Sequence, residues 1–408
     1  MEFPRQISGP GRATPPLPGP GLFDMRDWLN PRRLTIVMWD QSYLFRHAAG
    51  ESFENYDRVL DETIERGYNT LRLDPLPQLI DLAHPETPFQ WGDPHWPYMP
   101  WAWNKAGEAP LGQWMIDLME KTLSRGLNYT LSSWWTYAMD GSLPFPAGAA
   151  VPRTHLEAAE LWARLLREWK KRFGFERLIY VDIENETPYF LPGYKNRIKE
   201  MTGQSWNGES QEDNGPVLGQ GLINFVSGEL NTAIAALQRE FPELRFTASI
   251  HGDERWLDIP LQFDCLDVHF YADIDQRWGS RTRFTDWMPR LYTDAAWHKE
   301  FSDRCLAARN AVGPMLRARQ RSRLAAFAHW AEQYGMPLTT SESWASWYYF
   351  DSPDLDWSWL LEWAEHSVED AVEFRMWGWT PHNYCHPTFK NWQDVRWHRR
   401  LTDRFLKS

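Results

Sequence analysis

The sequence contains few cysteines, and their placement does not suggest disulfide pairing. Its 408 residues include only Cys265, Cys305 and Cys385, which are far apart and odd in number. Small secreted domains that depend on disulfides carry denser and evenly paired cysteines. The sequence therefore excludes a disulfide framework, and we expect three free thiols.

Long apolar runs and an excess of basic residues are also missing. No stretch is apolar enough for a transmembrane helix, and residues 1–25 lack the apolar centre of a signal peptide, so we expect a cytoplasmic protein. The 43 basic and 55 acidic residues give a net charge of −12. This charge argues against nucleic acid or an anionic membrane as a partner. It is compatible with a neutral sugar and leaves the oligomeric state open.

Tryptophan is abundant, with 26 residues in the chain. An indole offers a flat apolar face and one N–H donor, which suits the C–H faces of sugar rings. Many of these tryptophans stand in proline-rich, polar stretches, where filling a core is a poor explanation. We therefore expect part of them to line a sugar site.

Apolar runs and amphipathic helical patterns alternate along the chain. The junctions at 66–69 and 125–128 are two copies of one pattern, with Gly67 and Gly126 ending a helix before a strand. Ser52 is the expected cap of the first long helix. Eight strand-then-helix units predict an α/β fold, a (β/α)₈ TIM barrel over residues 32–408, behind a Pro/Gly-rich arm at 1–31. The predicted strands are 34–39, 69–73, 128–131, 178–184, 246–250, 266–271, 337–342 and 374–377.

Long connections follow the second, fourth and sixth predicted strands, at 75–109, 187–217 and 272–297. Loops of this length in a compact domain are usually functional. The first is rich in aromatic residues among prolines, which predicts a deep pocket rather than an open groove. Those residues are Trp91, Trp96, Tyr98, Trp101 and Trp103.

Acidic residues at the ends of predicted strands are the main functional signal. Residues 178–186 begin as a buried strand and end in Glu184, Asn185 and Glu186, and the seventh strand ends at Glu342. In an α/β barrel the carboxyl ends of the strands carry the chemistry. Two carboxylates at one mouth can hydrolyse a glycosidic bond, one as acid and the other as base or nucleophile.

At this point the sequence resembles the clan A glycoside hydrolases, and within them family 5 and its cellulase-like relatives. Five segments over residues 34–400 carry the resemblance. They are Gly67–Leu73 for the second strand, Asp182–Glu186 for the fourth, His269–Tyr271 for the sixth, Thr340–Glu342 for the seventh, and Trp377 with Trp379 for the eighth. The chain departs from the family pattern at Thr187, where proline is usual, and at 133–135, where histidine is common.

The resemblance implies a role for each matching residue in a retaining double displacement. Glu186 would be the acid/base and Glu342 the nucleophile, with the two carboxyl groups about 5–5.5 Å apart. Arg72 would keep the nucleophile ionised. The remaining residues would bind the substrate, a glycoside or oligosaccharide. These are Asn185 at the 2-hydroxyl, His269, Tyr271, which would also hydrogen-bond the nucleophile, and the stacking Trp377 or Trp379. Asp40, Trp134 and His251 lie at the ends of predicted strands and are further candidate sugar ligands, whose roles no family motif fixes.

Other interpretations remain open from the sequence. Arg72 could form a structural ion pair with Asp40 or Asp74, and Glu184 is a rival to Glu186. The favoured activity is exo-acting on β-linked glycosides, with an endo-glycanase of the cellulase or mannanase type as the runner-up. A non-catalytic sugar-binding barrel and a metal-dependent sugar isomerase are the further alternatives. Residues 382–386 have a metal-like composition, but we expect neither a metal nor a cofactor.

Overall fold

Strands and helices alternate along the chain in the computed structural model, which describes residues 29–93, 105–135, 152–206, 218–283, 294–383 and 385–408. The strands are β1 Leu34–Asp40, β2 Thr70–Leu73, β3 Phe89–Trp91, β4 Gly107–Ala109, β5 Asn128–Ser132, β6 Leu178–Asp182, β7 Phe246–Thr247, β8 Ile250–His251, β9 Leu266–Tyr271, β10 Leu338–Thr339, β11 Ser343–Trp344 and β12 Gly378–Trp379. Seven of the eight predicted strands are confirmed in place.

The helices occupy the connections between these strands. The α-helices are α1 Ser42–Phe45, α2 Tyr56–Glu65, α3 Leu111–Ser124, α4 His155–Phe173, α5 Tyr194–Thr202, α6 Gln220–Glu240, α7 Gln276–Thr282, α8 His298–Gln333, α9 Ser358–Glu373 and α10 Val395–Leu406. Three 3₁₀ turns lie at Glu254–Asp258, Ala295–Trp297 and Lys390–Gln393. Within the described part of the chain, none of the helices is both long and apolar enough to cross a lipid bilayer.

The main sheet is parallel and curled, with the strand order β12-β1-β2-β5-β6-β7. A second parallel sheet is centred on β9, which pairs with β8, β10 and β11. Backbone hydrogen bonds from Trp377 N to Leu338 O (2.7 Å) and from Thr340 N to Gly378 O (3.2 Å) join the segments that carry β10 and β12. Every residue of β1, β2, β5, β6 and β9 is buried, as expected of parallel strands covered by helices on their outer face.

Local signals explain where several helices begin and end. Gly67 and Gly126 follow α2 and α3 with φ of +81° and +69°, conformations that favour glycine. Thr154 caps α4 by accepting a hydrogen bond from Glu157 N. The cap of α2 is Asn55, which accepts from Arg58 N, so the prediction of Ser52 was wrong by one turn.

The tryptophans fill the core more than the sequence suggested. At least eleven of the 26 are almost completely buried, which leaves no face for a sugar ring. They are Trp39, Trp135, Trp162, Trp169, Trp256, Trp278, Trp344, Trp359, Trp377, Trp379 and Trp392. Residues 1–28 of the predicted arm and Trp96, Tyr98, Trp101 and Trp103 of the predicted aromatic loop lie outside the described residues.

The eighth strand begins later than predicted. Residues 374–377 are not a strand, because α9 runs to Glu373 and Phe374 caps it. Arg375 then takes the left-handed conformation (φ +55°) that usually marks a helix end with glycine. The strand pairs with β1 only from Gly378 onward.

The buried side chain of His398 makes the stability of the fold depend on pH. His398 Nε2 donates to Asn391 O (3.0 Å), and Tyr68 Oη donates to His398 Nδ1 (2.7 Å). Burial is the main cause that lowers the pKa of His398 to about 3. Below about pH 6.5 the unfolded chain binds a proton there that the folded protein does not, so stability falls as the pH falls towards 3.

We expect His398→Gln to remove this dependence. When the pH is lowered from 7 to 5, the unfolding free energy of wild type should fall by about 2 kcal/mol more than that of the variant. Urea unfolding at several pH values measures this difference. The exposed His329→Gln is the matched control and should leave the slope unchanged. A His398→Gln curve parallel to the wild-type curve would contradict the assignment.

Candidate active site

Glu186 and Glu342 lie at the carboxyl ends of β6 and β10, and their side chains approach each other. One carboxylate oxygen of Glu186 and one of Glu342 are within 4.8 Å of each other. Their residues are 6% and 1% exposed, so each charge is almost completely removed from water. Buried carboxylates require specific partners, and the partners of the two differ in kind.

Glu342 is surrounded by three hydrogen-bond donors. Arg72 Nη1 donates to its Oε1 at 2.8 Å, and Tyr271 Oη donates to its Oε2 at 2.7 Å. Asn383 Nδ2 lies 3.3 Å from the same Oε2 and also donates to Tyr271 Oη at 2.8 Å. The carboxylate is therefore held at both oxygens by three different elements of the fold.

Glu186 lies between two imidazoles. His269 Nδ1 is 2.9 Å from its Oε1, and His251 Nε2 is 3.0 Å from its Oε2. Burial alone would raise the pKa of Glu186, but the charges and hydrogen bonds of His251 and His269 together hold it below its usual range. The two imidazoles therefore favour the ionised form of this carboxyl.

The backbone at Glu186 has a constrained conformation, which hydrogen bonds to residues of the neighbouring strands hold in place. Its φ is +49°, a left-handed value that non-glycine residues adopt at a cost of about 1–3 kcal/mol. Glu186 N donates to Ser249 Oγ at 2.9 Å, and the N–H and hydroxyl of Ser249 each donate to Asp182 at 2.8 Å. The buried carboxylate of Asp182 thus determines where the Glu186 backbone turns.

Arg72 connects four strand ends. Besides Glu342, its guanidinium donates to Asp40 (3.1 Å), Ser132 (3.1 Å) and Asn185 (2.5 Å). Burial alone would lower the pKa of Arg72. The charges of Asp40, Glu342 and more distant carboxylates outweigh this effect and raise the pKa above its usual value. The sequence left open a structural ion pair with Asp40 or Asp74 as an alternative to the contact with Glu342, and the structure contains the contacts with Asp40 and Glu342 together.

Trp134 and Asp40 form one wall beside Arg72. The Trp134 indole N–H donates to Asp40 Oδ2 at 2.6 Å, and its backbone N–H donates to Asp74 Oδ2 at 3.0 Å. Asp40 is completely buried, and burial is the main cause that raises its pKa. Phe190 packs edge-on against Trp134, with ring centroids 4.7 Å apart. Asp40 therefore serves Arg72 and Trp134 as an acceptor.

All but two of the residues predicted from the sequence are joined by these contacts. The joined residues are Asp40, Arg72, Trp134, Asn185, Glu186, His251, His269, Tyr271 and Glu342. Within the described chain, Asn185 Nδ2 has no hydrogen-bond partner, although it is buried. A buried donor without a partner is available for a hydroxyl group of a ligand.

Trp377 and Trp379 are not sugar platforms, and this prediction was wrong. Trp377 is buried, its indole N–H donates to Pro31 O, and its carbonyl pairs with Leu34 at the amino end of β1. Trp379 is also buried and contacts the outer helices through Ser367 and Phe405. Both errors follow from the misplaced eighth strand.

Asn383 is the contact residue that the sequence analysis did not single out. It follows β12 in the loop and accepts a hydrogen bond from Ser343 N at 2.9 Å, while its Nδ2 contacts Tyr271 and Glu342. Its position after the last strand was the available signal. That signal was obscured because residues 382–386 were considered only as a metal motif.

Glu184, the alternative to Glu186, contacts residues outside the group that surrounds Glu186 and Glu342. Its Oε2 lies 2.6 Å from His155 Nε2, and its Oε1 accepts from Leu191 N at 2.8 Å. These contacts fix the loop after β6 to the start of α4. We therefore interpret Glu184 as a structural residue.

Glu186, His269 and Glu342 form the one described cluster in which three metal-ligating side chains converge, with donor atoms within 4.8 Å. Arg72 already contacts Glu342, and a guanidinium so close opposes a second cation. The second ring nitrogen of His269 lies 3.3 Å from Ser341 Oγ. We therefore interpret the cluster as a hydrogen-bonded acid–base group.

The profile of a family described as sugar-binding cellulase-like matches residues 36–406. The chain belongs to the cellulase-like family. The resemblance drawn from the strand-end motifs is thereby confirmed. No protein with a curated description matches this cellulase-like chain.

Solved structures resemble this cellulase-like protein to different degrees. A crystal structure from Parabacteroides distasonis, provisionally named a glycoside hydrolase, is 23% identical with a TM-score of 0.75, covering 91% of this chain and 93% of that chain. The catalytic domain of the major endoglucanase from Xanthomonas campestris pv. campestris is 13% identical with a TM-score of 0.47, covering 92% and 95%. At 23% identity, the similarity to the Parabacteroides distasonis structure concerns the fold alone.

Removing the buried cation should destabilise the cellulase-like fold strongly. In Arg72→Met, the carboxylates of Asp40 and Glu342 lose their counter-ion inside the protein, and we expect a loss of about 3–5 kcal/mol of unfolding free energy. Adding Asp40→Asn should recover part of this loss, because one uncompensated carboxylate is removed. Urea unfolding measures both effects. The control is Arg404→Met, which removes an exposed ion pair with Glu369 and should change stability far less. A similar loss in both variants would contradict the role of Arg72.

Proposed function

We propose that this cellulase-like protein is a retaining glycoside hydrolase that acts on the ends of β-linked glycosides or short oligosaccharides. The observation that carries the proposal is the approach of the Glu186 and Glu342 carboxylates to within 4.8 Å. A double displacement needs two carboxyl groups about 5–5.5 Å apart, whereas an inverting reaction needs a wider gap for water. The proposed reaction requires neither a metal nor a cofactor.

Glu342 is the proposed nucleophile, because its hydrogen-bond partners fix both of its oxygens and meet them as donors. Arg72, Tyr271 and Asn383 all direct hydrogen-bond donors at its oxygens. Attack on the anomeric carbon gives a covalent glycosyl-enzyme, which water then hydrolyses. Tyr271 stays beside the reacting oxygen throughout and can follow the charge as it moves to the sugar.

Glu186 is the proposed acid/base. In the first step its carboxyl proton passes to the leaving oxygen, and in the second step its carboxylate takes a proton from water. Its two imidazole neighbours can exchange a proton with it, unlike the partners of Glu342. This difference in neighbours supports assigning the acid/base role to Glu186.

Asn185, His251, His269 and Trp134 are the proposed substrate-binding residues around this pair. The unpartnered Nδ2 of Asn185 is the proposed donor to the 2-hydroxyl of the sugar. Asp40 is fully buried between Arg72 and Trp134, so its proposed contribution is indirect. It orients the two residues that border the sugar site.

A closed barrel of eight parallel strands within residues 32–408 is part of the proposal. The hydrogen bonds between the β10 and β12 segments support it, because they link the edges of the two parallel sheets. In such a barrel, β6 and β10 are strands four and seven, whose ends lie across the mouth from each other. A cytoplasmic location is also proposed.

A sugar-binding protein without catalysis is the alternative that the family description favours. Loss of catalysis in such a barrel would normally remove one of the two carboxylates, and both Glu186 and Glu342 are present with complete hydrogen-bond environments. Binding of sugars without turnover by the wild-type protein would support this alternative over the hydrolase.

Azide should distinguish the two glutamates. We expect Glu342→Gly to abolish turnover of the best nitrophenyl glycoside found in a screen of both anomers. Azide should then fill the space of the lost carboxylate and give a glycosyl azide of inverted configuration. In Glu186→Ala, azide enters on the opposite face after the covalent step, so the product should keep the configuration of the substrate. NMR of the products measures both outcomes.

The control for this experiment is Glu184→Gln, which changes the rival carboxylate. It should retain turnover and give no azide product. Azide rescue of a Glu184 variant, without rescue of the Glu342 and Glu186 variants, would contradict the assignment. Hydrolysis of no glycoside by the wild-type protein would contradict the proposed function itself.

Exo action predicts a single type of product. We expect oligosaccharides labelled at the reducing end to lose one sugar at a time from the unlabelled end, because a pocket admits only a chain end. Chromatography of early time points measures the product lengths. Early internal cleavage would favour the endo-glycanase alternative, and a substrate blocked at its non-reducing end is the control.

A further inference from the structure

A line of four buried side chains runs from the interior of the sheets to Glu186. Asp267 accepts hydrogen bonds from Ser341 through both carboxylate oxygens, from the backbone N–H at 2.9 Å and from the hydroxyl at 2.6 Å. Ser341 Oγ lies 3.3 Å from His269 Nε2, and His269 Nδ1 lies 2.9 Å from Glu186. Asp267, Ser341 and His269 are completely buried, so water does not replace these contacts.

The direction of each hydrogen bond in this line follows from chemistry. A carboxylate only accepts, so the Ser341 hydroxyl donates its proton to Asp267. The Ser341 oxygen can then only accept from His269, which requires a proton on Nε2. Asp267 Oδ1 is 3.6 Å from the same Nε2 and favours that proton electrostatically. Nδ1 is left to share a single proton with Oε1 of Glu186.

The surrounding charges agree with this arrangement. Burial alone would lower the pKa of His269, but Glu342, Asp267 and Glu186 together raise it to about 10. Burial would likewise raise the pKa of Asp267, and His269, Ser341 and Arg72 lower it. Of the other groups at this point, His251 contacts Glu186, Tyr271 contacts Glu342, and Tyr180 Oη donates to Asp267 at 2.9 Å.

We propose that Asp267 is a positioning residue that, through Ser341, keeps His269 Nε2 protonated, so that the His269–Glu186 pair stores the proton which the leaving group receives. This inference rests on the proposed function. As the glycosidic C–O bond breaks, the shared proton moves from Nδ1 to Oε1 of Glu186 and on to the leaving oxygen. In the second step the attacking water returns one proton to the pair, and Nε2 keeps its proton throughout.

Two aryl glycosides of one sugar test the inference, because only one of them needs an acid. A phenyl leaving group requires protonation, whereas a dinitrophenyl group departs without it. For Asp267→Asn and Ser341→Ala, we expect kcat/KM on the phenyl glycoside to fall about 10- to 100-fold, with the alkaline limb of its pH profile shifted down by about one pH unit. With the dinitrophenyl glycoside, kcat/KM should stay within about threefold of wild type near pH 6.

Three controls make the outcome specific. Ser341→Thr keeps the hydroxyl and should restore the wild-type profile. Tyr180→Phe removes the other donor to Asp267 Oδ2 and should leave the ratio between the two substrates unchanged. Thermal unfolding checks that each variant is folded. If Asp267→Asn does not fold, the smaller change Ser341→Ala tests the inference by itself. Equal losses on both substrates, or an unshifted pH profile, would overturn the inference while leaving the proposed function intact. Wild-type protein inactive on both glycosides would instead overturn the proposed function.

Discussion

The buried guanidinium of Arg72 is the interaction on which the site depends. A cation removed from water must be compensated by anions and hydrogen-bond acceptors at fixed positions. Here the acceptors come from four strand ends, namely Asp40, Ser132, Asn185 and Glu342. Because the guanidinium is planar and rigid, each contact fixes the direction of the side chain it reaches. The position of the proposed nucleophile is therefore set by the same group that holds the neighbouring strand ends together.

Beneath this layer, two buried aspartates repeat one arrangement. Asp182 binds both the N–H and the hydroxyl of Ser249, and Asp267 binds both groups of Ser341. Each serine then contacts the side of the site that holds the proposed acid/base: Ser249 at the Glu186 backbone and Ser341 at His269. Each carboxylate accepts a hydrogen bond from a backbone N–H at the end of a strand, where no neighbouring strand within the described chain supplies an acceptor. Side chains at the ends of the parallel strands thus hold both the backbone of Glu186 and its neighbour His269.

Strands could be predicted from the sequence where a buried apolar run ends in polar residues or where a glycine marks the end of the preceding helix. The main error arose where this glycine is absent. Glu186 and Glu342 could be found because each directly follows such a run. The eighth strand was misplaced because α9 ends at Glu373 and the left-handed residue that follows its cap is Arg375, not the glycine that usually marks a helix end. A shift of four residues moved Trp377 and Trp379 from the predicted mouth into the packed interior. Asn383 was missed for a related reason, since its contacts to Tyr271 and Glu342 join segments far apart in the sequence.

The two glutamates differ most in what their neighbours can do with a proton. Arg72 cannot give up its proton at any ordinary pH, and Tyr271 and Asn383 meet Glu342 as donors, so none of these three hydrogen-bond partners takes a proton from it. His269 Nδ1 lies farther away, 3.8 Å from Glu342 Oε1. Glu186 instead contacts His251 and His269, whose rings both accept and release protons. Two similar carboxyl groups within 4.8 Å of each other are thereby suited to different tasks. This asymmetry is a property of the neighbouring side chains, so in the proposed reaction it does not depend on which sugar is bound.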